Sequence, residues 1–99
     1  MTLQECAAEG DLDGVKRLLN LNEDINSIDE DGNTALHYAA ESGFAEIVRY
    51  LVEKSADLNA VNDEGDTALH KATINNFVDV IKLLVAGNAK VNAQVRPAT

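Results

Sequence analysis

The segment DGNTALHYAA, Asp31 to Ala40, is matched 33 residues later by EGDTALHKAT, Glu64 to Thr73. The same offset carries FAEIVRYLVEKSADLNA, Phe44 to Ala60, onto FVDVIKLLVAGNAKVNA, Phe77 to Ala93, with no insertion. Across 29–61 and 62–94, 12 of 33 paired positions are identical, among them Gly32/Gly65, Thr34/Thr67, Leu36/Leu69, His37/His70, Leu51/Leu84 and Asn59/Asn92. These are turn, cap and core residue types, so the repeated unit is a structural one. A fixed period of this length predicts a stacked solenoid.

A degenerate copy precedes the two, in the same register. Leu3 pairs with Leu36, Ala7 with Ala40, Gly10 with Gly43, Val15 with Val48, Leu18 with Leu51, Asp24 with Asp57 and Asn26 with Asn59. It lacks the Thr and His of the others and carries Gln4, Glu5 and Glu9 where the apolar or bonded face lies in them. The expectation is an N-terminal cap whose polar outer face meets solvent. Cys6 takes the place of Ala39 and reads as a small buried apolar group, with no cationic neighbour to activate its thiol.

Within the second copy, Thr34 to Ser42 reads as a short helix with Leu36, Ala39 and Ala40 inward. Gly43 ends it. Phe44 to Lys54 follows as a longer helix with Ile47, Val48, Leu51 and Val52 in one stripe. Ala56 to Gly65 is rich in turn formers. The third copy repeats this plan with Leu69, Ala72, Val80, Ile81, Leu84 and Val85 as core. After Ala93 only QVRPAT remains, so the outer side of the third copy is expected to expose apolar surface at Val78, Ile81 and Val85.

The repeat resembles the ankyrin repeat. Its pattern, D-x-x-G-x-T-P-L-H-x-A-A-x-x-G followed by V-x-x-L-L-x-x-G-A-x-x-N-A, is matched twice at full length and once in part, over essentially the whole chain. Ala35 and Ala68 stand in for the helix-starting proline, Asn76 for a turn glycine, and Ser55 and Asn88 for the glycine after the second helix. The resemblance implies an all-α helix-turn-helix solenoid with short β-hairpin fingers. It implies one domain over 1–99, with repeats at 1–28, 29–61 and 62–94 and a tail at 95–99. It also places Asn26 and Asn59 in contexts that resemble hydroxylation acceptors, although asparagine at such a turn bonds the hairpin backbone whether or not it is modified.

Composition narrows the function classes. The chain is 45% apolar with 4% aromatic residues and a net charge of −9. That charge disfavours nucleic acid and anionic membrane surfaces and favours a basic protein partner. One cysteine, no basic flank before an apolar run, and no apolar stretch of membrane-spanning length lead to an intracellular expectation, cytoplasmic or nuclear.

No catalytic residue is expected. His37 and His70 recur at one repeat position, which fits a role in the stack, with the imidazole bonding the Thr hydroxyl and a neighbouring backbone. Cys6, His37 and His70 are spread one per repeat, unlike the close ligand pairs of a zinc site. The glycines at 32, 43 and 65 are single turn residues with no phosphate loop. The acidic turns lack the spaced ligands and terminal Glu of a calcium loop. Neither a cofactor nor a metal is expected.

The resemblance implies instead a concave binding groove lined by the fingers and first helices. Carried over position by position, its residues are Glu30, Asp31, Asn33, Glu41 and Ser42, then Asp63, Glu64, Asp66, Ile74 and Asn75. Tyr38 and Lys71 lie beside them, and Glu9 and Ile28 extend the row. The groove is predominantly acidic, with Tyr38, Ile74 and Val61 as apolar anchors. The reading is a non-catalytic module that binds a basic protein partner. Its alternatives are a structural unit self-associating through the uncapped third repeat, or the N-terminal portion of a longer repeat array.

Overall fold

The computed structural model describes the backbone of residues 1–95 and the side chains of residues 1–88. Among the described residues six helices follow in order: α1 Leu3–Glu9, α2 Leu12–Asn20, α3 Ala35–Ser42, α4 Ala45–Glu53, α5 Ala68–Ile74 and α6 Val78–Val95. Each repeat contributes a first helix and an antiparallel second helix. The first helices stack α1 on α3 and α3 on α5, and the second helices form a layer behind them. The result is elongated, 45 × 30 × 25 Å.

The first helices begin where sequence supplies a cap. Thr2, Thr34 and Thr67 each sit in extended backbone and accept the amide of the residue three positions on. Glu5, His37 and His70 return the bond to the cap's own N–H, completing a capping box each time. Alanines at 7, 35, 39, 40, 68 and 72 are buried, which lets the first helices approach closely. Leu3, Val15, Leu36, Ile47, Val48, Leu51, Val80 and Leu84 complete an aliphatic core. Cys6 lies fully inside it, as its pairing with Ala39 implies. Burial and then the nearby Asp11 carboxylate push its thiol pKa up, so the sulfur stays protonated.

Four expectations change. No strand occurs among the described residues, and the expected hairpin fingers are tight turns at 29–33 and 62–66. In each, one backbone pair closes the turn: Asp29 N donates to Asn33 O and Asn62 N to Asp66 O, both at 3.0 Å. The side chains of Asp29 and Asn62 then take amides that a ladder would use, Asp31 and Asn33 in one turn and Glu64 and Asp66 in the other.

The cap is the second change, because Gln4 is buried. Its Nε2 donates to Ser27 O of its own repeat at 3.0 Å and, more weakly, to Asn33 O of the second at 3.5 Å, so it faces into the stack and not solvent. Third, the second helix of the last repeat does not stop where its counterparts do. Copies one and two leave the helix through left-handed residues, Asn22 at φ 69° and Ser55 at φ 68°, whereas α6 runs on to Val95. Gly87 lets it do so against the stack, since a Cβ there would lie 2.8 Å from Val52 and 3.1 Å from Leu58. Beyond Val95 the expected tail lies outside the described residues. Fourth, Ile81 and Val85, each read both as core and as open-side surface, divide: Ile81 packs partly buried against the core, and Val85 is 52% exposed.

Candidate functional site

The adjacent turns are locked in register. Asp63 N donates to Asp31 O at 3.0 Å, and Asn62 Nδ2 donates to Asn33 Oδ1 at 2.9 Å. This places Glu30 and Asp31 on one turn beside Asp63 and Glu64 on the next, all four exposed. No cation among the described side chains pairs with Glu30, Asp31 or Asp63. Among the described side chains Lys71 alone reaches this edge, 4.0 Å from Glu64 and 3.9 Å from Asp66. Ion pairs this long with a solvated partner add little to stability and leave the edge acidic.

The other described cations lie elsewhere. Lys16, Arg17, Arg49 and Lys82 ride on the second helices, and Lys54 caps α4. Lys16 and Lys54 both lie over the Tyr50 ring, at 5.5 and 5.6 Å from its centre. The stack therefore has an acidic turn edge and a back layer of mixed charge. A shallow cleft of about 250 Å³ between α4 and α6, lined in part by Arg49, Asp79 and Lys82, belongs to that back layer.

Beside the carboxylates, Ile28 and Val61 occupy the same repeat position and are 65% and 58% exposed. Tyr38 is different from the exposed anchor expected of it: it is half-buried, and its hydroxyl donates to the Asp29 carboxylate. Burial acts to raise the Asp29 pKa, but bonds from Tyr38, the Asn33 amide and the Asp31 amide outweigh it and hold the carboxyl below its usual value. Tyr38 in turn is pushed up, first by that bond and then by burial. Tyr38 thus braces the first turn from within.

The remaining expected residues sit one helix length away. Glu41, Ser42, Ile74 and Asn75 cluster at the C-terminal ends of α3 and α5, where Asn75 Nδ2 donates to Glu41 O at 3.3 Å. Ile74 is 73% exposed. The row carried over from the repeat pattern is thus two groups, an acidic one at the turn tips and a polar one around Ile74. Asp29 and Asn62, legible in the sequence only as turn residues, are what position the first group. Their signal was present, because two Asx residues 33 positions apart open both turns.

His37 joins the second repeat to the third. Thr34 N–H donates to Nδ1 at 3.0 Å, so the ring proton sits on Nε2 and is donated to Asp66 O at 2.8 Å. Among the described residues there is no group of three His, Cys, Asp or Glu side chains that could hold a metal ion. No described helix is long and apolar enough to cross a membrane.

No curated protein matches the chain. A family model described as ankyrin repeats in three copies matches residues 3–95. With that match covering nearly the full length, and with the helix pairs, capped first helices and inter-repeat turn bonds all in place, the chain belongs to the ankyrin repeat family.

Proposed function

We propose that this protein is a non-catalytic adaptor that binds a basic protein segment along its acidic turn edge. Ankyrin repeats are in general protein–protein interaction modules. The observation that carries the finer reading is charge segregation: Glu30, Asp31, Asp63 and Glu64 project together, while all but one of the described cations lie on or at the end of the second helices. The exposed pair Ile28 and Val61 gives the same edge an apolar component. A fitting partner alternates cations with apolar residues. Backbone bonds hold the turns before any partner arrives, so little ordering entropy is lost on binding. In this reading the protein works in a reducing intracellular compartment, cytoplasmic or nuclear, where its single thiol remains free.

The test is capture of partners from a lysate of the source cells by the wild-type chain and by a folded Glu30→Lys/Asp63→Lys/Glu64→Lys variant. A basic protein that is retained by the wild type, eluted by salt and lost from the variant supports the reading. Equal capture by both forms removes it.

A second reading rests on the third repeat, where Ile74, Val78 and Val85 are 73%, 49% and 52% exposed. Self-association there predicts a dimer at micromolar concentration in sedimentation equilibrium that Ile74→Glu/Val85→Lys abolishes. A monomeric wild type ends it.

A further inference from the structure

The second helices of the three repeats share one register but not one ending. Asn22, Ser55 and Asn88 are spaced 33 residues apart. The first two adopt left-handed backbone at φ 69° and 68° and turn the chain out of the helix. Asn88 lies inside α6, which continues to Val95. Yet the chain around it keeps the exit sequence, since Ala89, Asn92 and Ala93 repeat Ala56, Asn59 and Ala60.

The local chemistry is balanced between the two endings. Glycine at 87 and asparagine at 88 are poor helix formers side by side, and asparagine tolerates left-handed backbone better than most residues. In the helix the Asn88 Oδ1 is buried and has no hydrogen-bond partner, a cost that an Asn at an exit turn does not bear. Against this stand the backbone hydrogen bonds of the extra helical turns. The first two exits are tied to each other: Asp57 N donates to Asn26 Oδ1, and the turns that follow pair through Asp63 and Asp31. With α6 helical through Val95, no such bond to the second exit is made from 89–95 among the described residues.

We infer that 88–95 is a two-state segment, exchanging between the helical ending of α6 and the left-handed exit used by the first two repeats, with Asn88 as the switch residue. In the second state the chain leaves α6 at Asn88 and is free to lie along the open side of the third repeat. This is a property of the third repeat and does not depend on the acidic edge binding a partner.

Chemical-exchange saturation transfer NMR on the full chain tests it. The wild type is expected to show helical Cα shifts at 89–95 together with a minor state whose shifts at 89–93 resemble those of 56–60. Asn88→Ala, a better helix former that resists left-handed backbone, lowers the minor population about tenfold, whereas Asn88→Gly raises it severalfold. A wild type with no exchange at 89–95, whether wholly helical or wholly non-helical, overturns the inference. So does a minor state whose population is the same in both variants. Thermal unfolding of each variant confirms that the repeats themselves remain folded.

Discussion

His37 and His70 occupy one position of one motif and live in different surroundings. Both close a capping box with the Thr three residues before them. His37 is 1% exposed and bridges to Asp66 O in the next repeat, whereas His70 is exposed and its Nε2 meets no partner among the described residues. The motif thus carries two separable functions. The cap belongs to the helix that contains it, and the bridge exists only where another turn stacks on top. Repeats two and three are therefore a built-in control, since subtracting one position from its twin isolates what a stacked neighbour contributes.

The largest effect expected from that subtraction is at the histidines themselves. His37→Ala deletes a buried ring and orphans the Thr34 amide and the Asp66 carbonyl, at a cost of about 3 kcal/mol. His70→Ala loses only the exposed cap return, below about 1 kcal/mol. Urea unfolding of both variants measures the difference. Equal losses would mean that the bridge is energetically idle and that the cap carries the whole value of the residue.

Gly32 and Gly65 repeat the comparison in the turns. Both sit at positive φ, 79° and 82°. A Cβ on Gly32 would come within 2.7 Å of Asp63 Oδ1 and 3.0 Å of the Asp63 amide, while one on Gly65 meets nothing within 4 Å. Gly65→Ala therefore reports backbone strain alone, roughly 1 kcal/mol. Gly32→Ala adds a clash with the stacked turn and is expected to cost about 2 kcal/mol in all. If the two variants unfold at the same urea concentration, the turns are not held in the register described.

The comparison extends backwards to Gln4, which pairs in register with His37. It reaches Ser27 O and, more weakly, Asn33 O, the residue that pairs with Asp66. A glutamine amide and an Nε2–H imidazole are both long donors from the first helical turn, so the cap keeps the bridge with different chemistry. Gln4→Ala is expected to cost about 1–2 kcal/mol. Solvent-facing cap residues usually stay within about 0.5 kcal/mol when replaced, and a value in that range would return Gln4 to the polar outer face that sequence reading assigned to it.

That misassignment shows what was legible. The helix pairs, their caps and the small-residue interface follow from identities repeated at fixed spacing, because each is decided within its own repeat. Leu36, Ala39 and Leu51 could be placed in the core without a structure for this reason. Gln4, Tyr38 and the ending of α6 were misread because they depend on what lies beyond the repeat. Polarity pointed Gln4 outward, but carbonyls 23 and 29 residues away turned it inward. Tyr38 looked like a free aromatic at a variable position until Asp29 captured its hydroxyl. The repeat pattern fixed where a second helix can end, and at Asn88 it has no stacked neighbour among the described residues to make it end there.

The Asp29–Tyr38 pair offers the smallest effect and a pH signature to go with it. Asn62, the residue paired with Asp29, opens its turn with a neutral amide, and Lys71 replaces Tyr38, so only the first turn carries this ionisable brace. Tyr38→Phe removes one hydrogen bond to a carboxylate and is expected to cost about 1 kcal/mol near neutral pH. Asp29 has its folded pKa depressed, so its contribution is present above the unfolded carboxyl pKa and is lost as pH falls through the lower folded value. Tyr38 is raised from 10.0, so its share is present below that pH and is lost as pH climbs toward the higher folded value. The stability gap between wild type and Tyr38→Phe should thus form a plateau through neutrality and narrow at both ends, with the acid side set by protonation of Asp29 and the alkaline side by ionisation of Tyr38. A gap that stays constant from acid to alkaline pH would assign the loss to ring packing and leave the first turn no better braced than the second.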